Sequence, residues 1–86
     1  MNSEWFVYIL RCKNGSLYTG MTKNLNKRID KHNAGKGSKS VVMMGTPVEL
    51  VYHEIHESKE KALSREAQIK KLKKNQKEEL VKNGNS

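Results

Sequence analysis

The stretch Trp5–Thr22, WFVYILRCKNGSLYTGMT, decides the fold. Two apolar, β-prone runs flank Lys13-Asn14-Gly15. Asn and Gly tolerate the positive φ that a hairpin turn requires, so the segment reads as two antiparallel strands. In the first, Trp5, Val7 and Ile9 alternate with Phe6, Tyr8 and Leu10. Both sets are mostly apolar, which suits a strand covered on two sides. Two registers are open. An Asn14-Gly15 turn pairs Lys13 with Ser16 and sends Tyr8 and Tyr18 to opposite faces. A three-residue turn with Gly15 left-handed pairs Cys12 with Ser16, sets Tyr8 opposite Gly20, and brings both tyrosines to one face.

Downstream, Thr22 or Asn24 can cap a helix over Leu25–Asn33. Leu25, Ile29 and His32 form its narrow apolar edge, with Arg28 on an adjoining side. Lys23, Lys27 and Lys31 recur every four residues as a cationic ridge. Residues 34–40 read as a flexible basic loop carrying Lys36 and Lys39. Its two glycines allow backbone amides near an anion, although the spacing matches no phosphate-loop signature. Val41–Met44 is a short apolar segment, and Pro47 opens a strand over Val48–Ile55. In that strand Val48, Leu50 and Tyr52 are expected on one side and Val51, His53 and Ile55 on the other. Ser58 caps a helix predicted over Lys59–Lys74. Asn75 and Glu78 suggest a capping box for a last helix ending at Gly84. The expectation is one domain over residues 1–86, with its core at about 5–82. Its class is α+β: a three-stranded antiparallel sheet flanked by helices, in the order β-β-α-β-α-α.

With 86 residues, a single cysteine and no long apolar run, the sequence excludes an internal disulfide and a membrane helix. The N-terminus has no basic region or small-residue cleavage site, so a cytoplasmic protein is expected. Seventeen Lys and Arg against nine Asp and Glu give +8, which points first to a nucleic-acid partner. Glu66 is conspicuous. It falls near the centre of a stripe drawn through Ala62, Leu63, Ala67, Ile69 and Leu72. A carboxylate there needs an ionic partner or a metal. Pairing with Arg28, or a rotated helix, would account for it equally well. Tyr8, Tyr18, Arg28 and His32 are each, taken singly, ordinary packing or surface residues. Tyr52, His53 and His56 suggest no role.

Taken as an ordered set, these residues resemble the GIY-YIG nuclease superfamily. Val7-Tyr8-Ile9-Leu10 stands at the first motif, and Leu17-Tyr18-Thr19-Gly20 at the second, with Thr for Ile. SLYTGMTKNLNKRIDKHNAG, PVELVYHE and ALSREAQIKKL look like its small single-domain bacterial members, the UPF0213 type. The chain departs from them at Met21, where some relatives carry lysine. Residues 40–45 are more apolar, and the asparagine many relatives place after the glutamate has no clear counterpart. The resemblance implies cleavage of DNA phosphodiesters with one divalent metal, usually Mg²⁺, with Mn²⁺ possible. It implies Tyr18 or Tyr8 as base or water-positioner, Arg28 on the phosphate, Glu66 as metal ligand, and His32 orienting a tyrosine or sharing the proton. Gly20 would be structural at the site, and Lys23, Lys27, Lys31, Lys36 and Lys39 would contact DNA, with RNA left open. Two other readings stand beside it: a nucleic-acid-binding domain with little catalysis, and a protein-interaction module using Val41–Met44.

Overall fold

The computed structural model describes residues 4–84. Strands β1 (Trp5–Arg11), β2 (Leu17–Thr22) and β3 (Glu49–His56) form one antiparallel sheet in the order β2-β1-β3. Helices α1 (Leu25–Asn33), α2 (Lys39–Met44), α3 (Lys59–Lys70) and α4 (Lys74–Gly84) complete the domain. The expected α+β order holds, with α2 added where the sequence suggested only an apolar segment. Ser38 caps α2 through its Oγ, which accepts from the Ser40 amide. Val41 and Met44 turn inward, while Val42 and Met43 face solvent.

The hairpin adopts the three-residue turn. Gly15 has φ +87°, its N–H donates to the Cys12 carbonyl, and Tyr8 lies opposite Gly20 with Leu10 opposite Tyr18. The turn is also tied down: the amides of Lys13 and Asn14 donate to the carbonyls of Gly45 and Met44. That extra anchorage, together with the left-handed glycine, fixes one of the two registers.

Because β1 is central, both of its faces are buried, as its doubly apolar pattern requires. Val7 and Ile9 pack under α3 and α4 with Ala62, Ile69 and Val81. Tyr8, Leu10 and Cys12 pack under α1 and α2 with Val41, Leu25 and Ile29. Covering β1 therefore needs helices on both sides of a very small sheet.

Strand β3 corrects the expected alternation. Ile9 pairs with Tyr52 but Leu10 with Leu50, so a bulge inserts Val51. One extra residue reverses the side-chain parity beyond it. Leu50 thus packs with the Tyr8 face, while Tyr52 packs with Val7 and Ile9. Helix ends also differ. α3 closes at Lys70 rather than Lys74. α4 opens one residue before Asn75, with Gln76 accepting from the Lys73 amide. Glu78 is not a cap; it forms a bidentate pair with Arg11 at the end of β1.

Candidate active site

The site grows from the face shared by Tyr8 and Tyr18. Strand β1 buries Tyr8 completely, and Gly20 on β2 makes room for its hydroxyl. A Cβ at Gly20 would stand 2.5 Å from the Tyr8 oxygen. Helix α1 follows two residues after β2. Its start is fixed by the Asn24 side chain, which accepts from the Lys27 amide. This geometry turns Arg28 and His32, one helical turn apart, toward the same tyrosine.

The contacts converge on one oxygen. His32 Nε2 lies 3.0 Å from the Tyr8 hydroxyl, and Arg28 Nε donates to it at 3.4 Å. The Tyr18 ring stands edge-on to His32 with centroids 5.4 Å apart, and 6.4 Å from the Tyr8 ring. Two phenols, an imidazole and a guanidinium from β1, β2 and α1 therefore form one packed cluster.

The loop after α1 determines which His32 nitrogen carries the proton. The Ser38 amide, which can only donate, points at Nδ1 from 3.5 Å, at the long end of hydrogen bonding. Burial, aided by the Arg28 charge, lowers the His32 pKa, so the ring is neutral. A neutral ring that accepts at Nδ1 carries its hydrogen on Nε2 and donates to Tyr8. The Tyr8 oxygen then accepts twice, and its own hydrogen can point elsewhere. Gly37 permits this contact, because a Cβ there would fall 2.2 Å from Nδ1. The sequence reading gave the loop glycines to an anion; Gly37 instead lies against the histidine.

Burial raises the Tyr8 pKa above the usual phenol value, opposed by the Arg28 hydrogen bond, with smaller raising effects from Tyr18 and Glu66. Tyr8 is a protonated phenol near neutral pH. Arg28 is held more firmly charged, chiefly by its contact with Tyr8, with Tyr18 also contributing.

Glu66 reaches the same neighbourhood from α3, near enough for its charge to be felt at Tyr8. The inward stripe of α3 is not the one drawn from sequence. Ala62 and Ile69 are buried, Arg65, Glu66 and Leu72 are partly buried, and Leu63 and Ala67 are exposed. Glu66 sits inside that corrected stripe, its side chain 14% exposed, with Lys70 Nζ 3.6 Å away. Among the described residues no group of three or more His, Cys, Asp or Glu side chains gathers. A cation here would have Glu66 as its protein carboxylate, with water and phosphate oxygens completing its shell. That donor set fits Mg²⁺, which keeps most of its waters and takes one or two carboxylates.

The cationic ridge is placed in two parts. Lys23, Lys27 and Lys31 join Arg28, Thr22, Asn24 and Asp30 around an open groove of about 600 Å³. Lys36 and Lys39 are exposed on the following loop and on α2, outside that lining.

A second cluster escaped the sequence reading. Glu54 on β3 accepts from Arg65 Nε at 2.8 Å and from the Tyr52 hydroxyl, and lies 2.7 Å from His56 Nε2. Burial would raise the Glu54 carboxyl, but these three partners outweigh it and hold it below the usual range. Asn33 was also passed over; its Oδ1 accepts from the Val48 amide at 2.8 Å and ties the end of α1 to β3. Strand alternation alone puts Tyr52, Glu54 and His56 on one side of β3. The parity reversal at Val51 turns that side toward the Val7–Ile9 core and α3, where Arg65 stands.

Known proteins agree with this architecture. The family model described as the GIY-YIG catalytic domain matches residues 4–79. A UPF0213 protein of Clostridium perfringens is 57% identical over 76 residues, covering 88% of this chain and 81% of the relative. One from Staphylococcus aureus is 48% identical over 77 residues, covering 90% and 93%. The solution NMR structure of a UPF0213 protein from Bacillus halodurans superposes with a TM-score of 0.60 at 43% identity, covering 92% of this chain and 83% of that one. The chain, with its paired tyrosines on one hairpin face, its α1 arginine and histidine, and its α3 glutamate, belongs to the GIY-YIG nuclease domain family, among the UPF0213 proteins.

Proposed function

We propose that this protein is a metal-dependent endonuclease that hydrolyses DNA phosphodiester bonds, directed by DNA structure rather than sequence, and that it serves repair or processing in the cytoplasm. The observation that carries this reading is the convergence of Arg28 and His32 on the Tyr8 hydroxyl, beside a lysine-lined groove and within electrostatic reach of Glu66.

In this reading Lys23, Lys27 and Lys31 hold the phosphate backbone, and Lys36 and Lys39 contact a flanking segment. Arg28 meets the non-bridging oxygens of the scissile phosphate, where its planar fork matches their geometry. A water attacks phosphorus. The new P–O bond forms as the bridging P–O bond breaks, and the leaving oxygen takes up a proton. Tyr8, buried, protonated and contacted by two N–H donors, holds Arg28 and His32 in place behind the groove. Tyr18, edge-on to His32, accepts a hydrogen bond from the attacking water and positions it, and the water's proton leaves to solvent. Mg²⁺ or Mn²⁺ held by Glu66 would supply positive charge at the phosphate oxygens. Preorganised charge of this kind is commonly the largest contribution to such catalysis.

The test is incubation of the pure protein with flapped, branched and single-stranded DNA and Mg²⁺ or Mn²⁺. Cutting that disappears in Glu66→Ala while binding persists supports the reading. Salt-sensitive binding with no cutting of any substrate would replace it with a binding domain of the same fold. Lys70, 3.6 Å from the Glu66 carboxylate and a competitor for a cation, is the observation that favours this second reading.

A further inference from the structure

We propose that Trp5, with Lys23 and Lys59, is a stacking site for an unpaired nucleobase next to the cleavage groove. The proposal rests on the reading above that the substrate is nucleic acid, and it narrows that substrate to strands with an unpaired segment.

Trp5 opens β1 and is half-buried against the Val7–Ile9 core, so its ring is held by the fold. Two ammonium groups stand over that ring. Lys23 Nζ lies 5.4 Å from the centroid and Lys59 Nζ 5.7 Å. They come from separate places in the chain, the end of β2 and the first turn of α3. Like charges gathered on one aromatic ring form a weak, exchangeable cover, since each sits on a flexible four-carbon stem. Lys23 also lines the groove that contains Arg28. It therefore links that groove to Trp5.

A polyanion on this track draws the lysines toward its phosphates and uncovers the indole. An aromatic base can then replace them on the ring. Stacking platforms beside basic grooves hold single strands in this way, independently of sequence. Bases inside an intact duplex already stack on their neighbours and offer no free face.

Trp5 is the only tryptophan in the chain, so its emission reports on this site alone. The experiment uses the wild-type protein in EDTA, which separates binding from cutting. Three probes are titrated: a labelled twelve-nucleotide oligothymidylate followed by anisotropy, relaxed circular duplex DNA by competition, and inorganic polyphosphate of matched charge. The expected result is strong quenching with the oligonucleotide and clearly weaker changes with duplex and polyphosphate. Trp5→Leu should weaken oligonucleotide binding roughly tenfold and leave polyphosphate binding unchanged, while Trp5→Phe, which keeps a ring, retains most of the affinity. Oligonucleotide binding with no more quenching than polyphosphate produces would overturn the stacking site and leave the nucleic-acid reading standing. Absence of binding to either DNA would overturn both.

Discussion

The Tyr8 hydroxyl is the most constrained atom in the candidate site, and its surroundings make distinct predictions. Tyr8→Phe removes the acceptor shared by Arg28 Nε and His32 Nε2 and leaves the buried His32 N–H without its partner. A loss of about 1–3 kcal/mol in unfolding free energy is expected by denaturant titration, together with a large fall in cutting. Gly37→Ala pushes a methyl into His32 Nδ1. The loop must shift, costing about 1–3 kcal/mol, and the ring loses the contact that selects its tautomer. Nitrogen-15 NMR of His32 checks this directly: the wild-type ring should carry its proton on Nε2, and the variant should show a mixture. The lowered pKa of His32 adds a pH signature. The unfolded state takes up the proton near pH ~6.5 and the folded state only below that. Stability from this group is full above about 6.5 and declines as pH falls toward the folded value. His32→Gln should flatten that part of the stability curve, and an unchanged slope would remove His32 as its source. The residues of this cluster were legible as types and spacings: Tyr8, Tyr18, Arg28 and His32 all meet as read. Gly37's contact with His32 was not, because it depends on how the five-residue loop between α1 and α2 folds back on α1.

Elements rather than single residues decide where Glu66 points. α3 is fixed by Ala62 and Ile69 below and by Arg65, whose guanidinium reaches Glu54 on β3. Arg65 and Glu66 are neighbours, so the Arg65–Glu54 pair sets the rotation of the helix that presents Glu66. Glu54→Gln should cost about 1 kcal/mol, a modest figure because Arg65 is one-third exposed and solvent screens the pair. It should weaken Mg²⁺ dependence of cutting more than it weakens DNA binding. Measured Mg²⁺ titrations identical to wild type would show that the pair holds the fold alone. Helical periodicity placed Glu66 in a stripe correctly but drew the stripe through Leu63 and Ala67, which are exposed. Apolar side chains marked the stripe on paper, whereas Arg65 occupies it in the fold because a carboxylate on another strand awaits it. The β3 bulge is similar. A one-residue insertion at Val51 leaves no trace in composition, yet it puts Leu50 and Tyr52 on opposite faces and so turns the Tyr52–Glu54 side of β3 toward Arg65.

At the scale of the whole molecule, the excess of eight positive charges is not spread evenly in its effects. Lys23, Lys27, Arg28 and Lys31 line one groove, while Lys36 and Lys39 stand apart from it. Each phosphate neutralised by a bound protein releases condensed cations, so affinity falls with salt by about 0.7 in log–log slope per contact on single strands. Four groove cations imply a slope of roughly −3 for a short oligonucleotide. Lys27→Ala and Lys31→Ala should each make the slope shallower by about 0.7 and weaken binding to all base sequences alike. Lys39→Ala should leave the slope of a short strand unchanged and act only on longer ones that extend past the groove. Equal effects of Lys39 and Lys27 on a short strand would mean that the charge acts as a diffuse field rather than through a track. The aromatic end of that track at Trp5 would then have no strand delivered to it.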